Sequence, residues 1–394
     1  MDVGAWCSQS RVWVVAGKGG VGKTTVAASL AAAASDAGLS VLLIELEGKH
    51  GLAATFGKAA PVGYDPVELR GPTGGAGDGN AAGDLARSPR SDVSSDEGAG
   101  PGHDQDGRTA TSGDAAPAGG QKGGPVAPVP PGAVWARRLT PDDALLEYLA
   151  DHGLQRVSKR LVSSGVLDVV ATAIPGIRDV LVLGKVKQLE RADVADVVIL
   201  DAPATGHAMT FLTSASGLLD AARGGPVRQQ ASDVVELLRD PSRCRILPVT
   251  LPEEMPVSET VESAFLLEDR VGIHLGPVVV NCFEEGPGQL DVPVAQAAAE
   301  AGVSLDAPVL AALDAAREFR LRRLHLVDEQ VERLHDELPL PQLRIPRLFT
   351  PAVGPSELEQ LSHALARAIE SLPAPGPDEV RDDEAGERAG GERS

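Results

Sequence analysis

The chain has 394 residues, 56 of them acidic and 36 basic, and its formal charge of −20 excludes a general binder of nucleic-acid backbones. Cys7, Cys244 and Cys282 stand apart with no CxxC pair. That argues against a disulfide framework or a structural zinc site within the chain and suits a reducing compartment.

The first ten residues, MDVGAWCSQS, are too few and too polar for a signal peptide, and no apolar run nears the roughly 18 residues of a membrane-spanning helix. A cytoplasmic chain with no transmembrane segment is expected. VWVVA (12–16) reads as a buried strand, and KTTVAASLAAAASDA as a helix closed by Gly38. VLLIEL (41–46) is a second strand. From about 71 to 132 the text turns to Gly, Ala, Pro, Asp and Ser, too poor in apolar residues to offset its ordering entropy. It is expected to be a disordered insert inside the domain. Thr140-Pro141-Asp142-Asp143 carries an N-cap hydroxyl, a first-turn proline and two acids, the marks of a helix start.

DVVILD (196–201), ILPVTL (246–251) and PVVVN (277–281) are further strands, continuous rather than alternating, as in a parallel sheet covered on both faces. A charged helix is expected over 305–337, and Ser356-x-x-Glu359 reads as a capping box opening the last helix. The text from about 373 is an acidic, disordered tail. The sum is an α/β fold, a doubly wound, mostly parallel sheet in a single domain over 11–372. The surplus of helix over 141–192 and 206–243 suggests a helical subdomain.

The chemistry concentrates in RVWVVAGKGGVGKTTVAAS (11–29). Gly17-x4-Gly22-Lys23-Thr24 is a phosphate-loop pattern set between a strand and a helix, the context the motif requires. Its glycines let backbone N–H groups curl around phosphates, Lys23 reaches the β- and γ-phosphates, and Thr24 ligates Mg2+. Asp201, ending a strand, is placed to complete the magnesium shell. Asn281, also at a strand end, reads the adenine edge or simply terminates the strand. The loop holds a second lysine, Lys18, which the pattern does not require.

A lysine early in GKGGVGKT resembles the deviant phosphate-loop ATPases, in which it reaches across a dimer to the partner's nucleotide. Further segments resemble the ArsA family of anion-transporting ATPases, closest to its actinobacterial members. VLLIELEGKHGLAATFG resembles the first switch and LDAPATGHAMTFL (200–212) the second. IPGIRDVLVLGKVKQL (174–189), VTLPEEMPVSET (249–260) and IPRLFTPAVGPSELEQL (345–361) match other segments of the family. The resemblance implies a P-loop NTPase of the deviant Walker A type that binds ATP and Mg2+ in a nucleotide-sandwich dimer. The dimer is a homodimer or a heterodimer with a paralogous ATPase.

Carried over by residue, Lys18 is the lysine acting in trans. Gly17, Gly19, Gly20, Val21, Gly22, Lys23, Thr24 and Thr25 hold the phosphates and magnesium, with Asp201 on the second switch and Asn281 at the adenine. Glu47 stands where the family has the aspartate that orients water, and Gly48 replaces its proline, while His50 is kept. Glu47 can align water, with turnover slowed by its extra methylene or tightened by a partner, or it is an ordinary exposed acid. His207 couples the second switch to the helical region or caps a turn. With one loop and no cysteine cluster, arsenite binding is not expected, and the absent CxxC implies no zinc clasp. A protein or membrane-linked client is implied, with Met209, Phe211, Leu212, Leu218 and Leu219 either lining its groove or packing the core. Two alternatives are open, a nucleotide-binding subunit with little hydrolysis and a partition- or septum-type positioning ATPase, which the charge disfavours.

Overall fold

Strand β1 (Val12–Gly17) alternates its side chains between two apolar layers built from the other described elements. The computed structural model describes residues 1–46, 51–72, 127–151 and 176–373. Among these, β2 (Val41–Leu46), β3 (Val67–Arg70), β4 (Val134–Leu139), β5 (Val197–Ala204), β6 (Cys244–Thr250), β7 (Val278–Phe283) and β8 (Gln342–Pro346) join β1 in one sheet. The order is β3-β4-β2-β5-β1-β6-β7-β8. Every pairing is parallel except β3 with β4. The chain leaves β1 to one side for β2 and to the other for β6, so the sheet is doubly wound and its switch point lies at the carboxyl end of β1.

Trp13 and Val15 face the layer built from α2 (Lys23–Asp36) and α11 (Pro355–Glu370). Val12, Val14 and Ala16 face α5 (Ile177–Arg191), α6 (Thr205–Ala221), α7 (Pro226–Arg239) and α8 (Glu254–Val271). The alanines of α2 suit its place between the sheet and α11, because small side chains allow close approach on opposite sides. The helix ends as expected: Gly38, at φ +89°, donates to Ser35 O and Leu39 donates to Ala34 O, closing the last turn. In the first helix, α1 (Val3–Cys7), Trp6 stacks on Trp13, whose indole donates to Cys7 O at 2.9 Å. Burial pushes the Cys7 and Cys244 thiols up to about 12, so both act as packing groups rather than nucleophiles.

The helical surplus is present as α4 (Pro141–Asp151) through α7, and residues 152–175 lie outside the described set. Thr140 caps α4, its hydroxyl oxygen accepting from the Asp143 N–H at 3.1 Å. The last helix is capped differently from the sequence reading. It begins at Pro355 behind Gly354, and Glu357 accepts from the Gly354 N–H at 3.0 Å; Ser356 is already inside the helix. Pro355 sets the start, since proline suits the first helical position. A short α3 (Leu52–Thr55), α9 (Val294–Glu300) and the long α10 (Ala307–Glu337) complete the described helices. None is long and apolar enough to cross a membrane.

β3 and β4 have no counterpart in the strands read from sequence. β3 is short and half exposed, and β4 carries Arg137 and Arg138 within its run VWARRL. Tertiary partners make those arginines tolerable. Arg138 pairs with Glu45 of β2, while Arg137 lies over the Tyr64 ring and 3.9 Å from Glu147. Between β3 and β4 the chain is described again from residue 127, and Val129 is buried there, donating to Val194 O at 2.7 Å.

Glu284, just past β7, is buried between Arg320 of α10 and Arg347 beyond β8, with Arg347 Nε at 2.7 Å. It ties three elements together at the sheet's far edge. Glu284→Gln is expected to lower stability by about 2 kcal/mol in a urea titration. Losing one member of a buried ion pair is strongly destabilising, here moderated because both arginines are about one-third exposed.

Candidate functional site

The loop 17–24 occupies the switch point, between the end of β1 and the start of α2. Two glycines are demanded by its path. Gly17 has φ +157°, and a Cβ there would lie 2.2 Å from Val249 O; Gly22 has φ +88°, and a Cβ there would lie 2.2 Å from Asn281 Nδ2. As the N-cap of α2, Gly22 supplies no side-chain hydrogen bond to the first turn, so the helix presents its N-terminal N–H groups and dipole to an anion. Gly19 and Gly20 are exposed at the tip, and Val21 is buried beneath it.

Lys23 is buried, its ammonium folded over the loop and donating to Gly17 O at 2.9 Å and Lys18 O at 2.8 Å. Thr24 Oγ1 donates to Asp201 Oδ2 at 2.6 Å, and Asp201 is fully buried. Residues 177 positions apart in sequence thus place a hydroxyl and a carboxylate side by side at the foot of the loop. These are hard oxygen donors, the type Mg2+ prefers, and two protein ligands match its habit of keeping several waters. Thr25 stands one residue further on, its carbonyl accepting from Ser29 Oγ.

Asn281 closes the site from β7. Its amide nitrogen donates to Val21 O at 2.8 Å, so this side chain braces the loop from below. Lys18 extends sideways, its ammonium 2.5 Å from Glu259 Oε1 of α8, with both side chains about one-third exposed. Glu47, with Gly48 and His50, lies outside the described residues, as does the side chain of His207. Phe211, Leu212 and Leu218 are buried in the layer on the sheet, with Met209 and Leu219 packed against them. In this structure they build core.

Sequence reading missed Glu45, Arg138 and Glu259. Glu45 is the one that carried a signal, as a charged residue in the middle of the otherwise apolar strand VLLIEL. Glu259 and Arg138 carried none, because their partners are 241 and 93 positions away.

A family model described as the CobQ/CobB/MinD/ParA nucleotide binding domain matches residues 12–383. The chain is 28% identical over 376 residues to ATPase BagA of Mycobacterium tuberculosis, spanning 91% of this chain and 93% of that one. A Mycobacterium bovis protein provisionally named an ATPase matches to the same extent. A Halobacterium salinarum protein provisionally named an arsenical pump-driving ATPase is 25% identical over 296 residues, covering 69% of this chain and 35% of its own.

Proposed function

The chain belongs to the CobQ/CobB/MinD/ParA nucleotide-binding family, and on that premise we propose that it is an ArsA-type MgATPase working as a nucleotide-sandwich dimer. The observation that carries the reading is the Thr24–Asp201 pair at the foot of a glycine loop that also holds Lys23. The loop and the α2 terminus take the phosphates, Lys23 the β- and γ-oxygens, and Thr24 and Asp201 the cation. Bound magnesium would neutralise charge on the β- and γ-phosphates. We assign Glu47 to orienting the attacking water. The Asn281 oxygen is assigned to the adenine amino group, since its nitrogen is engaged by the loop.

Lys18 is assigned to the partner's nucleotide, as a cation supplied in trans where charge builds on the transferring phosphoryl group. The similarity to the Halobacterium protein and the segments shared with ArsA support this branch of the family. A cytoplasmic setting, a protein or membrane-linked client and a single domain over 11–372 interrupted by the 71–132 insert belong to the same reading. Glutamate in place of the switch aspartate favours a second reading, a subunit that binds nucleotide and hydrolyses it only with a paralogous partner.

One experiment separates the two. ATP turnover per chain is measured across protein concentration, with sedimentation alongside. Specific activity that rises with concentration as ATP drives dimerisation supports the homodimer. A purified chain that binds MgATP yet stays monomeric and idle sinks the homodimer and leaves the subunit reading.

A further inference from the structure

β2 is apolar except for Glu45, which is 1% exposed. In register, Glu45 stands beside Asp201 of β5 on one side and Arg138 of β4 on the other. Register partners on parallel strands project to the same face of the sheet. The Asp201 carboxylate reaches Thr24 at the start of α2, so Glu45 lies on that same face, one strand spacing of about 4.8 Å from Asp201. Val41 and Leu43, its even-spaced neighbours along β2, pack in the α2 layer and confirm the side. Arg137 projects to the opposite face, towards Glu147, and takes no part.

Arg138 grips the carboxylate in a particular way. Its Nε at 3.1 Å and Nη2 at 2.7 Å both donate to Oε2. The grip fixes the orientation of the group. It leaves Oε1 buried with no hydrogen-bond partner among the described residues. A buried acceptor without a donor calls for one.

We propose that Glu45 is a positioning residue for the cation of MgATP. Its Oε1 accepts a hydrogen bond from a water bound to the cation that Thr24 and Asp201 hold, and Arg138 keeps it aimed. This rests on the MgATP reading of the site. The one-strand offset from Asp201 favours contact through a water over direct ligation, and a hydrated cation such as Mg2+ supplies such waters. Groups that orient metal-bound partners typically change metal affinity by about 10- to 100-fold.

The test uses the full chain and a fluorescent ATP analogue, with binding titrated against free Mg2+ and, in parallel, Mn2+ bound to the complex followed by electron paramagnetic resonance. Glu45→Gln is expected to bind nucleotide in EDTA within about twofold of the native chain. Its half-saturating cation concentration is expected to rise about 10- to 100-fold, with an altered Mn2+ spectrum. Glu45→Gln/Arg138→Gln removes both charges together and is measured should the single variant unfold; it predicts the same shift. A folded variant of either kind with native cation dependence and spectrum overturns the role of Glu45. The MgATP reading would then stand, with Thr24→Ala as the positive control for lost cation dependence. A native chain whose nucleotide binding ignores the cation overturns that reading, and the role of Glu45 with it.

Discussion

Lys18→Ala is expected to bind MgATP nearly as the native chain does and to turn it over roughly a thousandfold more slowly. Lys18 makes its side-chain ion pair with Glu259, while Lys23 donates to the loop carbonyls of Gly17 and Lys18. An ion pair this exposed is worth at most about 1 kcal/mol. The ammonium can therefore leave Glu259 for the far larger negative charge of a triphosphate. Mixing provides the decisive check. Lys18→Ala keeps its own nucleotide site and lacks the lysine to donate; Lys23→Ala has a crippled site and keeps Lys18. If the lysine acts across the dimer, combining the two inactive variants restores part of the turnover. Mixed dimers that sediment as dimers and remain inactive would show that Lys18 serves its own chain.

Gly22→Ala is expected to destabilise the fold by about 2–3 kcal/mol and to abolish measurable nucleotide binding at micromolar concentrations. The left-handed conformation alone costs a residue with a Cβ about 1–2 kcal/mol. The added carbon would also lie 2.2 Å from Asn281 Nδ2, and relieving that contact breaks the bond from Asn281 to Val21 O, worth about 1 kcal/mol. The backbone is displaced at the point where α2 begins. A urea titration and binding of a fluorescent nucleotide measure the two effects. Native stability together with native affinity would mean that Asn281 yields freely and does not brace the loop. Gly20→Ala makes the comparison: its φ is +85°, yet no atom lies within 4 Å of the added carbon, so it should carry the conformational penalty without the clash.

Much of this protein was legible from local text. The phosphate loop, the helix after it and the strands 12–16, 41–46, 196–201, 246–251 and 277–281 are local patterns, set by apolar runs and by glycines where the backbone turns. The Gly38 and Thr140 caps follow from the same short-range chemistry, where a backbone group and its partner lie within a few residues. The last helix shows the limit even there. Ser356-x-x-Glu359 and Gly354-Pro355-Ser356-Glu357 overlap, and proline's fixed φ selected the earlier start.

Tertiary structure decided what depends on partners distant in sequence. β4 is a strand because Glu45, Tyr64 and Glu147 accept its two arginines, and no periodicity of VWARRL announces that. Phe211, Leu212 and Leu218 could serve a groove or a core until the sheet covered them. Thr24 with Asp201, Lys18 with Glu259 and Arg138 with Glu45 are each brought together by the parallel crossovers. The sequence by itself determined the glycine loop and its nearby lysine, because that pattern needs only neighbouring residues and consecutive backbone N–H groups. Which carboxylates surround the loop, and which partner each cation takes, only the fold could decide, because those contacts are set by strand order and register.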